Sequence, residues 1–512
     1  MSQLSLAQVL EETAARRPDH PAVVLGDTSV SYAALWDGAR RQASVLRERG
    51  VGPGDTVALL LPNTPHFPMA YYGALALGAL VTPVHALLTA EEIQYVLEDS
   101  GAKVLVCAAP LLGEGAKGAE LAGVDLLAVM DGGDADVERL DALAQQAEPV
   151  DAVVLREPTD PAVVLYTSGT TGKPKGAVLS HFNLLMNAQI SAFDSIGLSP
   201  DDVLLGCLPL FHTFGQTCAM NAGFRVGATL VLMPRFDGPQ ALQIMVDQGV
   251  TAFLGVPTMY MGLLAAAKDS DARPTLRVAA SGGSALPVAV IDQVKEVFHV
   301  DVLEGYGLSE TSPVATFNQA AFGTKAGSVG HPVWGVDVEI ARAEVEERIE
   351  LLGTDELGEI VIRGHNIMLG YLNRPEATAE ALVDGWFRSG DLGVKDADGF
   401  VSIVDRKKDM ILRGGYNVYP REVEEVLARH EGVAQVAVIG LPHETHGEEV
   451  VAVVVREQPD ASADEEFGEE LIAYSREHLA KYKYPRTVQV VTEMPLGPSG
   501  KVLKRELVEQ YS

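Results

Sequence analysis

The chain has 512 residues, of which 47% are hydrophobic and 21% charged, with a formal net charge of −31. That length exceeds what one hydrophobic core can organise and points to two to four folding units of about 100–200 residues each, in a globular enzyme-like composition. So acidic a surface repels nucleic acid and anionic membranes, which excludes both as partners, and any nucleotide site must be made locally positive.

The first twenty or so residues lack a basic stretch followed by an apolar one, so they predict an amphipathic helix rather than a signal peptide. Met69–Leu88 is the most membrane-like segment. It carries Gly73, Gly78, Pro83 and His85, and its uninterrupted apolar part falls short of the roughly 20 residues needed to span. A buried helix running into a strand is expected there, with no transmembrane segment. Short β-branched runs then alternate with helical patterns. Strands are predicted at Thr56–Leu61, Lys103–Cys107, Ala162–Tyr166, Thr229–Met233, Arg277–Ala280 and Asp301–Leu303, with helices between them such as Ala241–Gln248. This rhythm predicts an α/β fold, with helices sandwiching parallel-rich sheets. Gly113–Pro149, rich in Ala, Gly and Asp, reads as a variable surface region. Cys107, Cys207 and Cys218 show no pairing pattern, which suggests a reducing compartment and a cytoplasmic location.

The composition changes near Asp405, where a charge-dense stretch gives way to glycines and then a helix start at Pro420. Strands at Gln435–Ile439, Val450–Val455 and Thr487–Val491 and a helix near Glu469–Lys481 follow. The expected division is a large domain over 1–404 and a small, mobile α+β domain over 405–512.

The strongest chemical signal is Tyr166-Thr-Ser-Gly-Thr-Thr-Gly-Lys-Pro-Lys-Gly176, directly after a strand. Its free N–H and O–H donors can wrap phosphate oxygens, with lysines supplying charge. It is not a Walker A loop, because Thr167 stands where the first glycine would be and Pro174 where Ser or Thr would follow the lysine. In Gly305-Tyr-Gly-Leu-Ser-Glu-Thr311, two glycines allow backbone to approach a flat ring, Tyr306 offers a stacking face and Glu310 is a hard oxygen ligand of the kind Mg²⁺ uses. A glutamate in an ordinary surface turn would have the same sequence.

This loop resembles the signature of the adenylate-forming superfamily, in its acyl-CoA synthetase and fatty-acid–CoA ligase branch. Ser281-Gly-Gly-Ser-Ala-Leu-Pro287, the Gly305–Thr311 motif, Arg388-Ser-Gly-Asp391, Asp405-Arg-Lys-Lys408, Gly414-Gly-Tyr-Asn417 and Pro498-Ser-Gly-Lys501 follow in the family's order. The resemblance implies an AMP-forming acid–thiol ligase that uses ATP, Mg²⁺ and CoA. It first makes an acyl-adenylate and then passes the acyl group to the thiol.

Residue by residue, the resemblance implies nucleotide binding by Thr167, Ser168, Gly169, Thr170, Thr171, Gly172 and Lys173. It assigns the same role to Gly283, Glu304, Gly305, Tyr306, Gly307, Ser309, Asp391 and Arg406, with Mg²⁺ on Glu310. Thr167, Glu310, His212 and Lys501 would be catalytic, Lys501 by holding the carboxylate against the α-phosphate. The acyl and thiol channel would involve Phe211, His212, Gly282, Gly414, Gly415 and Tyr416. Asp405 would be the hinge about which the C-terminal domain turns between the two steps.

Where amino-acid-activating relatives place an aspartate, this chain has His212, so an α-ammonium would lie unpaired and an amino acid is disfavoured. With Phe211, Phe214, Met220, Val256 and Met259 nearby, a medium- or long-chain fatty acid is expected; core residues would read the same way. An aryl or short-chain acid, or a stand-alone ligase loading a carrier-protein phosphopantetheine, are the alternatives. A light-emitting or O₂-dependent oxidase on this fold finds no support in the sequence. Lys407, Lys408, Arg413, Lys481, Lys483, Lys501, Lys504 and Arg505 form a basic group that would serve CoA phosphates or simply solubilise that face. A homodimer is an allowed assembly.

Overall fold

Two mostly parallel sheets share one apolar core. The computed structural model describes residues 3–132, 137–167, 173–443, 445–458, 464–497 and 501–512. One sheet orders Gly370–Tyr371, Lys175–Ser180, Pro161–Thr167, Leu80–Pro83, Thr56–Leu60, Ala102–Ala108 and Asp125–Val129. The first three of these strands run antiparallel in pairs, and the rest are parallel. The other orders His331–Pro332, Val314–Phe317, Val302–Gly307, Val278–Ser281, Ala252–Gly255, Val203–Gly206, Thr229–Leu232, Pro21–Leu25 and Thr28–Ser31. Their central strands are buried on both faces, which is why they read as continuous apolar runs rather than alternating ones. The shared core runs from Val57 and Leu59 through Tyr71, Tyr72 and Phe224 to Leu204 and Phe253.

Met69–Leu88 resolves as expected into a buried helix, His66–Ala76, and a strand, Leu80–Pro83. No helix among the described residues is long and apolar enough to cross a membrane. The N-terminal amphipathic helix spans Gln8–Arg16.

The segment 113–149, read as a surface region, keeps many exposed positions but carries regular elements. It contains helices Leu112–Ala122 and Leu140–Gln146, and the strand Asp125–Val129 completes a sheet edge. Its glycines mark close packing: a Cβ on Gly115 would lie 2.6 Å from Cys107 Sγ, and one on Gly118 2.6 Å from Ile93 Cγ2. A third, antiparallel sheet was not anticipated. It is built from Val336–Ala341, Gly358–Gly364, Leu382–Val383, Trp386–Lys395 and Val401–Arg406.

After Arg406 the chain forms a separate sheet from Ile411–Arg413, Tyr416–Val418, Val433–His443, Gly447–Arg456 and Thr487–Val491. Period-two alternation splits its apolar residues between two faces. Val438, Val450 and Ala452 pack with Val423, Leu427 and Leu471 from helices Pro420–Leu427 and Asp464–His478. Ala437, Ile439 and Val453 pack on the other side with Leu507 of helix Lys504–Tyr511.

Candidate active site

The three sheets and the C-terminal unit deliver separate charged groups to one place. Strand Val302–Gly307 leads into the turn Ser309–Thr311 and so presents Glu310. Tyr371 Oη donates to Glu310 Oε1 at 2.9 Å and Thr167 Oγ1 to the same atom at 3.4 Å. The Glu310 carboxylate and the Thr167 hydroxyl are the hard oxygen donors that Mg²⁺ takes alongside phosphates, so the residues present fit that ion.

Asp391 sits on Trp386–Lys395 and is nearly fully buried. Tyr306 Oη donates to its Oδ2 at 2.6 Å, and Arg406 Nε lies 3.2 Å from Oδ1. Burial raises the Asp391 pKa, opposed by Arg406, by the Tyr306 hydrogen bond and by Lys501. Just upstream, Arg388 is locked to Glu359, whose other oxygen accepts from Gly390 N at 3.1 Å. That pair fixes the turn from which Asp391 projects.

Lys501 enters from the C-terminal unit. It lines a small cavity with Leu208, Pro209, His212, Phe214, Gly215, Val256 and Gly283. Gly283 has φ +84°, and a Cβ there would sit 3.5 Å from Lys501 Cε and 3.4 Å from Val256 Cγ1. Burial and the Arg406 guanidinium pull the Lys501 pKa down to about 8, against the opposing pull of Asp391 and Glu310. His212 is pushed down to about 3 by burial, with smaller contributions from Lys501 and His85. It is therefore a neutral imidazole at working pH. Phe214 N donates to its Nδ1 at 3.3 Å, so Nε2 carries the proton. Apart from Lys501 and His212, the cavity wall is apolar.

Other residues singled out from the sequence lie as follows. Ser168, Gly169, Thr170, Thr171 and Gly172 fall outside the described residues, between strands ending at Thr167 and resuming at Lys175. Lys173 Nζ stands 4.8 Å from the Tyr95 ring centroid. Ser309 Oγ accepts from Thr213 Oγ1 at 3.3 Å.

The Cβ positions of Gly305 and Gly307 are taken by the chain itself. A Cβ would meet the Phe317 ring at 2.5 Å and Pro313 O at 1.7 Å, respectively. Likewise a Cβ on Gly282 would touch Phe214 at 3.3 Å. Tyr306 is mostly buried and anchors Asp391. The Glu304 side chain is buried and accepts from Leu286 N at 3.2 Å, and burial raises its pKa to about 7.

Phe214 lines the cavity, whereas Phe211 packs against His85 with ring centroids 4.5 Å apart. Met220 and Met259 belong to the core and do not line this cavity, which is the core reading that the sequence left open. Gly414, Gly415 and Tyr416 occupy an exposed turn that is not brought together with Lys501; Tyr416 stacks on Tyr482 at 4.8 Å. Most of the basic group is already paired. Lys407 meets Glu346, Arg413 Glu449, Lys483 Glu422, Lys504 Glu424 and Arg505 Glu509. Of that group only Lys408, Lys481 and Lys501 carry no ion pair among the described residues. Sequence reasoning missed Tyr371, Glu359 and His85. None sits in a chemical motif, and each is recognisable only from its spatial partner.

Two buried carboxylates, Glu310 and Asp391, with the cations Arg406 and Lys501 and the neutral His212 nearby, suit a nucleotide and a hard divalent cation. Comparison with known proteins agrees. The AMP-binding enzyme family matches residues 10–372, and the AMP-binding enzyme C-terminal domain matches 422–501. A long-chain-fatty-acid–CoA ligase of Bacillus subtilis (strain 168) is 35% identical over 99% of this chain and 94% of its own length. A feruloyl-CoA synthase of an Amycolatopsis species is 38% identical over 96% of each. The crystal structure of ATP-bound MatB from Rhodopseudomonas palustris superposes with a TM-score of 0.88 at 32% identity, covering 99% of both chains. The chain belongs to the AMP-binding, adenylate-forming enzyme family and is an AMP-forming acid–thiol ligase using ATP, Mg²⁺ and CoA.

Proposed function

We propose that the acid is a medium- or long-chain fatty acid, that Lys501 and His212 position its carboxylate, and that residues 405–512 move as a unit between two half-reactions. The observation that carries this reading is the Lys501 side chain set beside Gly283 and a neutral His212 in an otherwise apolar cavity.

In the first step a carboxylate oxygen attacks the α-phosphorus of ATP, the bond to the bridging oxygen breaks and pyrophosphate leaves. The Lys501 ammonium holds the carboxylate and the α-phosphate oxygens together as negative charge gathers. The Nε2–H of His212 donates to the carboxylate without adding a second cation. Asp391, steadied by Tyr306, accepts the ribose hydroxyls, and Arg406 flanks it. The loop from Thr167 to Lys173 wraps the outer phosphates. Glu310, with the Thr167 hydroxyl, would hold Mg²⁺, which when bound neutralises phosphate charge. In the second step the CoA sulfur attacks the acyl carbon, AMP leaves and the thiol proton passes to solvent.

The contacts between the two units suit a movable domain. Asp405 accepts from Arg406 N at 2.7 Å and from Arg421 N at 2.9 Å, both on the C-terminal side, so its carboxylate is held by the small unit. The cross-contacts Lys268–Glu457 and Lys407–Glu346 are exposed ion pairs, which are weak and easily exchanged for water. Gly414, Gly415 and Tyr416, exposed here, are then free to line the thiol passage after rotation.

The pH dependence follows from Lys501. Its charged form acts, and the free-enzyme pKa lies near 8. The kcat/KM for adenylation is therefore expected to fall as pH rises through about 8, because that parameter reports the free enzyme's groups. Lys501→Arg keeps its charge at far higher pH, so whatever activity it retains should lack this alkaline limb. An unchanged limb in Lys501→Arg would assign it to another group.

The substrate test offers the enzyme MgATP, CoA and a pool of straight-chain and aromatic acids, with products identified by mass spectrometry. Medium- or long-chain acyl-CoA species support the proposal. Aromatic thioesters alone would replace the fatty acid by an aryl acid. Accumulated acyl-AMP with no thioester would replace CoA by a carrier protein.

A further inference from the structure

The C-terminal unit carries a cluster of metal-ligating side chains made of none of the adenylation residues. Strands Val433–His443 and Gly447–Arg456 pair along their length down to His443 and Gly447. The hairpin tip places His443 and His446, both exposed, beside Glu449 at the base of the returning strand. One ligand atom from each of the three lies within 4.8 Å of the others. The two imidazoles meet through their Nδ1 atoms, 3.3 Å apart.

That separation matches a bite. Zinc–nitrogen bonds of about 2.0–2.1 Å at tetrahedral angles put two nitrogens roughly 3.3–3.4 Å apart. The two facing nitrogens can share one N–H···N hydrogen bond or, with both lone pairs turned inward, hold a cation between them. In this structure Thr445 fills that role weakly. Its N–H points at His443 Nδ1 at 3.3 Å, and its hydroxyl lies 3.3 and 3.4 Å from the two Nδ1 atoms.

Glu449 is fixed as a metal-ligating carboxylate usually is, by hydrogen bonds behind it. Val450 N donates to Oε1 at 2.9 Å and Arg413 Nη2 to Oε2 at 3.0 Å, with Arg413 Nε 2.6 Å from Oε1. Two imidazoles and one carboxylate select a borderline transition metal over Mg²⁺, which prefers oxygen donors. The three cysteines do not compete as ligands, since all are buried and burial pushes each thiol up to about 12.

We propose that His443, His446 and Glu449 form a site for a divalent transition metal such as Zn²⁺, and that filling it clamps the neighbouring glycine turn. The clamp follows from one bond: Gly414 N donates to His446 O at 2.8 Å, so the hairpin tip and the Gly414-Gly415 turn move together. Fixing the tip with a metal stiffens that turn. The effect on turnover rests on the thiol passage proposed above; the metal site itself does not.

The test uses the full chain, stripped by chelator and titrated with Zn²⁺ against a competing chromophoric indicator in excess Mg²⁺. One equivalent is expected to bind in the wild type and to be lost in His443→Ala/His446→Ala. The singles His443→Gln and His446→Gln, measured separately, should each weaken it tenfold or more. Both histidines are exposed and touch no adenylation residue, so adenylation without zinc should be unchanged in every variant. Equal zinc stoichiometry and affinity in wild type and double variant, or displacement of the zinc by Mg²⁺, overturns the site. For the clamp, one equivalent of Zn²⁺ should slow thioester formation from supplied acyl-AMP several-fold in the wild type but not in the double variant, which also controls for zinc captured by CoA. Binding without any such difference overturns the clamp and leaves the site standing.

Discussion

Lys501→Ala is expected to lower acid-dependent ATP–pyrophosphate exchange by about 10²–10³, the loss seen when a preorganised donor to developing charge is removed. Thioester formation from CoA and pre-made acyl-AMP should stay near the wild-type rate. The asymmetry follows from where the side chain comes from. Lys501 belongs to the C-terminal unit yet ends beside Gly283, His212 and Val256 of the large one, within electrostatic reach of Asp391 and Glu310. If that unit turns about Asp405 after adenylation, the ammonium leaves with it and cannot assist the thiol. Alanine removes the charge and little else, because no hydrogen bond from the Lys501 side chain holds the fold together among the described residues. Equal loss in both assays would mean that one arrangement of the two units serves both steps, and the domain rotation would fall.

The sequence made the site chemistry legible wherever a residue works through its own functional group within a local motif. Glu310, Asp391, Arg406 and Lys501 converge as their motifs imply, and His212 and Gly283 join them at the cavity. It was less informative where a role depends on a distant partner. Gly305 and Gly307 read as places where backbone approaches a flat ring, and nothing in the linear sequence shows that Phe317 and Pro313 crowd the side a Cβ would take. Tyr371 and Glu359 carry no motif and matter only through Glu310, Arg388 and Gly390. The basic residues near the C-terminus could not be seen in advance to be mostly neutralised by Glu346, Glu422, Glu424, Glu449 and Glu509.

The same logic held for the fold. Parallel interior strands announce themselves as unbroken apolar runs, whereas the antiparallel strands between Val336 and Arg406 are half-buried and alternate too briefly to stand out. The glycine-rich helix Leu112–Ala122 lies in a segment that reads only as variable surface, because Ala, Gly and Asp composition does not reveal a packed helix. Its glycines are explained by Ile93 and Cys107, which the linear sequence does not bring near.

Arg388→Met is expected to cost about 3–5 kcal/mol of stability and to raise the KM for ATP, because it leaves the Glu359 carboxylate buried without its cation. The pair is among the most enclosed in the molecule, with 8% and 3% of the side chains exposed. Arg388 Nε donates to Glu359 Oε2 at 3.1 Å and Nη1 to Val345 O at 2.6 Å, while Glu359 Oε1 accepts from Gly390 N. Ser389 Oγ adds a bond to Ile360 O at 2.6 Å and accepts from Asp391 N at 3.0 Å. The ion pair is therefore the keystone of the turn that aims Asp391 at the nucleotide. Trp386, two residues upstream and mostly buried, supplies a local fluorescence signal for denaturant titration. Arg388→Lys keeps the charge but not the fork, and should fall between wild type and Met. Arg388→Met/Glu359→Leu should recover much of the stability, since a buried ion pair can often be replaced by apolar residues without loss. The double variant should still not recover the KM, because Gly390 N has then lost its acceptor and the turn its fixed shape. Wild-type stability and KM in Arg388→Met would show that the turn holds Asp391 through Ser389 alone.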